Sequence, residues 1–305
     1  MISREWDAMK CLFIYNPHSG KGKIAKHLDY IVKRLHEKFE VVETYQTKSS
    51  EDTINVARES CGKYDALVFS GGDGTFNDVV TGVAPMEKRP ILGYIPSGTV
   101  NDIARNLSIS RNIKKACDVI VNGKVLYHDV GVVNDRYFMY VVAAGTFTEV
   151  SYRTDQKIKK VLGKLAYIVD GIKDVFNPVF TKVRIIADGV TIEDTASLLL
   201  VLNSKSVGGI RLNKDGHAND GLFDVVLVRK SYFFGISNII RLFTFGLSRR
   251  KKRKYIYHIR AQRVYVETNE NVVWCLDGEQ GPSGNIEIIN LPQHIRIFVS
   301  KNYKN

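Results

Sequence analysis

No apolar run in these 305 residues reaches the ~18 needed for a membrane-spanning helix. The opening Met1-Ile2-Ser3-Arg4-Glu5-Trp6-Asp7 lacks the apolar core of a signal peptide. The expectation is a cytoplasmic protein, soluble or resting on a membrane surface. Cysteine is scarce. The four present, at 11, 61, 117 and 275, have neither paired nor metal-ligand spacing, which argues against a disulfide framework and for reduced thiols. The seven histidines do not combine with Cys or Asp at ligand spacing, which argues against a transition-metal centre. Acid is the third shortage: 32 Asp and Glu against 44 Lys and Arg leave a formal charge of +12. That surplus favours anionic partners, whether nucleotide, nucleic acid or acidic lipid. No RNA- or DNA-binding motif accompanies the charge, so nucleic acid is not an expected partner.

What is present is ordinary globular material, 44% hydrophobic and 25% charged, on a chain long enough for two domains. The first domain is organised around Val68 to Asp78. An apolar run, Ala66 to Phe69, reads as a buried strand; it stops at Gly71-Gly72-Asp73-Gly74, and a helix follows. Glycines between a strand and a helix N-terminus can offer bare backbone N–H groups to a phosphate. Asp73 beside phosphates makes sense with Mg²⁺ between them; the alternative is a turn aspartate, exposed and capping the next helix.

Three more strand-then-helix units surround this one. Cys11 to Tyr15 ends in Asn16-Pro17-His18-Ser19-Gly20-Lys21-Gly22-Lys23 and leads to apolar residues at helical spacing, Ile24 to Leu35. The loop is not a Walker loop, because Pro17 stands where that pattern needs glycine and Ile24 where it needs Ser or Thr. It remains either a phosphate-facing loop or a basic surface turn. Strand Val41 to Thr47 precedes a helix near Asp52 to Ser60, and strand Ile91 to Ile95 ends in Pro96-Ser97-Gly98-Thr99-Val100-Asn101-Asp102. Asn101 and Asp102 belong to the site or simply start the next helix. Four such units in a row predict an α/β domain with a doubly wound parallel sheet, whose ligands bind beyond the carboxyl ends of the strands.

Beyond the helix near Asn112 to Val121, strand-like segments, Ile286 to Ile289 among them, and turn signals dominate, with one or two helices expected, chiefly around Ile158 to Phe176. The prediction is a mainly antiparallel β second domain. The boundaries are 1–129 for the nucleotide-binding domain and 130–292 for the acceptor domain. The last strand, Ile295 to Val299, leaves open whether 293–305 completes the first domain. Tyr232 to Phe245, aromatic and aliphatic, precedes the basic run Arg249-Arg250-Lys251-Lys252-Arg253-Lys254. This pair is either a dock for anionic lipid or a core helix followed by a solvated loop.

Taken in order, Asn16-Pro17-His18-Ser19-Gly20, Gly71-Gly72-Asp73-Gly74-Thr75-Phe76-Asn77, Pro96 to Asp102, Asn219-Asp220-Gly221-Leu222-Phe223-Asp224 and Asp277-Gly278-Glu279 resemble the diacylglycerol kinase catalytic-domain family, in its compact bacterial form. The resemblance implies an ATP-dependent kinase that phosphorylates a lipid hydroxyl, diacylglycerol first among the candidates. Other lipid alcohols, NAD, or a non-catalytic membrane-binding role are the alternatives. It implies ATP contacts at Asn16, Pro17, His18, Ser19 and Gly20, at Gly71 through Asn77, at Thr99, and at Thr47. It implies Glu279 as proton acceptor, with Asp277 orienting the site; from local sequence alone the two read as an Asp-Gly hairpin turn with solvated carboxylates. It also implies a structural Mg²⁺ held by Asp220 and by the main-chain carbonyls of His217 and Leu222. Lys214 and Gly216 depart from the family's Pro and Ala just before that site. Implied partners are ATP, a lipid acceptor and an anionic membrane surface, with a homodimer left open.

Overall fold

The computed structural model describes residues 9–17, 22–145, 180–230, 239, 242–247, 254–268 and 271–303. The helix expected around Ile158 to Phe176 lies outside them, as do His18, Ser19, Gly20, part of the 232–245 segment and Arg249 to Arg253 of the basic run. The chain divides into two compact units, Met1–His128 with His294–Asn305, and Asp129–Gln293.

Unit 1 alternates β1 (Lys10–Tyr15), α1 (Lys23–Lys26), α2 (Leu28–Leu35), β2 (Val41–Gln46), α3 (Ser50–Ser60), β3 (Ala66–Gly71), α4 (Asp73–Val83), β4 (Ile91–Pro96), α5 (Asp102–Asn106) and α6 (Ile113–Asn122). The strands are parallel in the order β4-β3-β1-β2. All six residues of β3 are buried, as expected of a parallel strand with both faces covered. The covering helices pair as α3 with α4 and α2 with α6. Three rings lock the centre. Phe69 stacks on Tyr94 at 5.3 Å, and Phe76 meets both edge-on at 5.2 and 5.0 Å. Those rings fix β3, α4 and β4 directly below the glycine turn.

Unit 2 is antiparallel. Its strands are β5 (Lys124–Val133, entering from unit 1), β6 (Arg136–Phe138), β7 (Val141–Gly145), β8 (Thr181–Ala187), β9 (Val190–Leu202), β10 (Phe223–Arg229), β11 (Ile256–Ala261), β12 (Arg263–Thr268), β13 (Val273–Leu276), β14 (Glu279–Ser283) and β15 (Ile286–Val299). The 13-residue β9 is the hub, pairing with β8, β7 and β10. Alternating residues of these strands, Val183, Ile185, Leu199, Val201, Val225 and Leu227 among them, form one core around Trp274.

Two late segments expected as separate strands, Ile286 to Ile289 and Ile295 to Val299, are one strand of 14 residues. Residues Ile286 to Ile289 of β15 pair with β12 in unit 2. Farther on, Ile297 pairs in parallel with Leu92 of β4, inside unit 1.

Candidate active site

The strand register of unit 1 assembles the site. Tyr15 is level with Ser70 and with Gln46, and Gly71 is level with Pro96. Asn16, Thr47, the Gly71 to Asp73 turn and the Ser97 to Thr99 loop therefore lie along one edge, beyond the carboxyl ends of the strands. The order β4-β3-β1-β2 reverses direction between β1 and β3, and a doubly wound sheet opens its ligand crevice at that reversal. Asn16 follows β1 and the Gly71 turn follows β3, so both stand at it. Thr47 is buried, with its N–H donated to the Tyr15 carbonyl at 2.9 Å, while Thr99 is exposed.

The glycines are set by packing as well as by any phosphate. A Cβ on Gly98 would stand 2.5 Å from the Gly72 Cα, and one on Gly71 would stand 2.3 Å from the Thr75 side chain. The two loops thus touch backbone to backbone. The Phe76 ring is fully buried among Phe69 and Tyr94, so a nucleotide contact at this position would be made by its main chain.

Asp73 is not the exposed turn residue that the sequence suggested. It is the partly buried first residue of α4, and it caps a different helix. Its Oδ2 accepts the Asp102 N–H and its Oδ1 the Ile103 N–H, each at 3.0 Å. Those amides open α5, whose N-cap Asn101 is left-handed (φ 54°) and makes no side-chain cap bond of its own. Asn101 is instead tied down by Nδ2 donating to the Gly98 carbonyl at 2.7 Å and by the Tyr94 hydroxyl at 3.3 Å. Burial pushes the Asp73 carboxyl above its ordinary value, against the pull of the Ile103 and Asp102 N–H groups. Burial, reinforced by the Asp73 charge, also raises the Tyr94 phenol well above its usual value.

The second-unit candidates lie on two turns. Asp277 and Gly278, both at positive φ (50° and 88°), form the two-residue loop joining β13 to β14, with Leu276 opposite Glu279. Glu279 is exposed at the start of β14. Asp277 is not a solvated turn carboxylate. It is buried, and accepts the N–H groups of Met139 at 2.6 Å and of Tyr140 and Val141 at 2.9 Å. Its carboxylate therefore holds the turn against β7.

The residues meant for a structural Mg²⁺ do not fit that ion as placed. One Asp220 oxygen accepts the Leu222 N–H at 3.2 Å and the other is ion-paired with the Arg260 guanidinium. Among the described residues no group of three or more His, Cys, Asp or Glu is arranged to hold a metal.

Asp129 went unmarked in the sequence, although a lone acid in the apolar stretch Leu126 to Val133 is itself a signal. It is fully buried, and it accepts the Gly221 and Gln293 N–H groups at 2.7 Å each while its own N–H donates to the Ala218 carbonyl at 2.8 Å. It fixes the 218–221 loop from below.

Comparison with known proteins agrees with this layout. Residues 10–133 match the diacylglycerol kinase catalytic domain, and residues 140–299 match the YegS C-terminal NAD kinase beta sandwich-like domain. The diacylglycerol kinase of Bacillus subtilis is 36% identical over 94% of this chain and 95% of its own length. That of Staphylococcus carnosus is 35% identical over 96% and 95%. The crystal structure of a diacylglycerol kinase from Bacillus anthracis superposes with a TM-score of 0.79 at 26% identity, covering 95% of this chain and 97% of that one. Matched along nearly its whole length in sequence and in fold, the chain belongs to the diacylglycerol kinase family.

Proposed function

We propose that this protein transfers the γ-phosphoryl group of ATP to the hydroxyl of diacylglycerol, giving phosphatidic acid. One observation carries the reading: the carboxyl ends of β1, β3 and β4 lie along one edge beside the reversal point of the sheet, where the Gly72 and Gly98 loops touch and Asp73 holds the first amides of α5. Unit 1 is then the nucleotide domain and unit 2 the acceptor domain.

In the transfer, the acceptor oxygen bonds to the γ-phosphorus as the bond to the β,γ-bridging oxygen breaks and ADP leaves. The hydroxyl proton passes to Glu279, an exposed carboxylate whose side chain has no hydrogen bond or ion pair among the described residues, while Asp277 positions its turn. A carboxylate offers about four acceptor positions, and the backbone N–H groups of Ile103, Asp102 and Asn101 occupy no more than three at Asp73, so its donor set suits the Mg²⁺ that accompanies ATP. That ion would neutralise charge on the phosphates. Asp73 would hold it.

A lipid acceptor requires an approach to the bilayer. Among the described residues, Phe245 is 64% and Ile210 40% exposed. Gly246 packs on the Arg211 and Leu212 carbonyls, which brings both apolar side chains into one loop cluster with exposed Arg211 and Lys214. Apolar residues with cations around them suit an anionic membrane surface.

The test is to incubate the protein with [γ-³²P]ATP and Mg²⁺ on vesicles containing diacylglycerol, beside vesicles of total lipid extract and beside NAD. Labelled phosphatidic acid is the expected product. Label in another lipid, or in NAD, would replace the acceptor; no label anywhere would remove the kinase reading.

A further inference from the structure

We infer that Arg260 is a built-in cation that does the structural work of a divalent metal in unit 2, so that the 213–224 loop folds without Mg²⁺. The inference begins with strand register. β10 and β11 are antiparallel with Asp224 opposite Arg260 and Val226 opposite His258. This places the Arg260 side chain next to the buried Asp224 carboxylate, with Arg260 Nε 3.8 Å from Asp224 Oδ1. The far end of the same guanidinium reaches Asp220. One planar cation thus bridges two carboxylates of the loop, Asp220 and Asp224, which is the geometric task of a bound divalent ion. A guanidinium suits it, being always charged and presenting several donors in a rigid fork.

The other contacts complete a cage that leaves the loop little to gain from a metal. Asp224 Oδ2 accepts Asn213 Nδ2, and Asp224 Oδ1 meets His258 Nε2, each at 2.6 Å. Asn213 in turn is tied to the Lys205 carbonyl through its N–H at 3.0 Å. Asp129 clamps the middle of the loop through the Gly221 N–H and the Ala218 carbonyl. The loop is therefore anchored at 213, 218, 220, 221 and 224 by protein groups alone. Lys214 and Gly216, standing where the family pattern has Pro and Ala, sit in this same loop. Gly216 packs so close that a Cβ there would come 2.4 Å from Asn213 Nδ2, so the departure is fitted to the cage.

The experiment needs no turnover, so it stands apart from the kinase reading. The full-length protein, stripped with EDTA and free of ATP, is melted with and without MgCl₂. The expected result is an unchanged melting temperature and no heat of Mg²⁺ binding by calorimetry. Arg260→Met should lower the melting temperature by roughly 4–8 °C, since it removes the cation shared by Asp220 and the buried Asp224. Arg260→Lys keeps the charge without the fork and should lose less. A Mg²⁺-dependent rise in the wild-type melting temperature that Asp220→Asn abolishes would overturn the inference, as would an Arg260→Met protein that melts like wild type. If Arg260→Met does not fold, the wild-type Mg²⁺ titration and Arg260→Lys still decide it.

Discussion

Asp277 and Val141 bind each other twice: the Asp277 N–H donates to the Val141 carbonyl at 2.9 Å, and the Asp277 carboxylate accepts the Val141 N–H at 2.9 Å. Together with the Met139 and Tyr140 amides, this makes Asp277 a fold residue two positions from an exposed Glu279. Asp277→Ala leaves three buried N–H groups without an acceptor, a loss of about 2–4 kcal/mol. The melting temperature should fall by about 4–12 °C. A variant as stable as wild type would show that water replaces the carboxylate.

Glu279→Gln should behave in the opposite way. Its side chain is exposed, so stability should hold while kcat drops roughly 10²–10⁴-fold, the usual worth of a general base. ATP affinity should stay constant, because lost base catalysis shows in kcat and lost uniform binding in KM. If only the lipid KM rises, the proton goes elsewhere.

For Asp73 the pH dependence carries the information. Burial raises its pKa in the fold, so the native state holds this proton more readily than the unfolded chain does. Stability from this group is then highest at low pH and declines as pH rises from the unfolded value, ~3.9, through the folded one, with no further change above. Asp73→Asn has no such proton. Relative to wild type, its melting temperature should improve as pH rises across that window, while its kcat stays low by about 10²-fold or more for want of the charge. A stability difference independent of pH would place the raised pKa elsewhere.

Gly98→Ala tests the loop contact. The new methyl would meet the Gly72 Cα at 2.5 Å and Asn101 Oδ1 at 2.7 Å, and neither is the free end of a flexible side chain. The two loops must part, at a cost of about 1–3 kcal/mol. ATP affinity, measured by calorimetry, should weaken together with the melting temperature. Unaltered ATP binding would detach this loop from the nucleotide site.

Membrane docking can be read from the apolar pair. Phe245→Ser with Ile210→Ser should cut co-sedimentation with anionic vesicles about 10-fold, the effect of withholding one or two side chains from the bilayer. Phosphorylation of a water-soluble short-chain acceptor should change far less. An equal fall in both would assign the residues to the fold.

The strands of the first sheet, their parallel winding and the loops at their ends were legible in the sequence, because each depends on local facts. Ala66 to Phe69 is apolar throughout, glycines follow at once, and helical spacing begins at the next turn. An antiparallel second half was likewise visible in its alternating strands and Asn-Asp or Asp-Gly turns. Tertiary structure decided the roles of the carboxylates, since a carboxylate is defined by what it touches, and the contacts here span long stretches of chain. Asp73 reaches 30 residues on to Ile103, Asp277 reaches back 136 residues to Val141, and Asp220 meets Arg260, 40 residues away. No local pattern separates these from solvated turn acids. The long β15 shows the same limit: its residues read as two strands in sequence, and only pairing with β12 at Ile286 and with β4 at Ile297 makes them one. Sequence sets which segments can be strands and which loops can meet a phosphate; desolvation and distant backbone N–H groups set which acids are left to do chemistry.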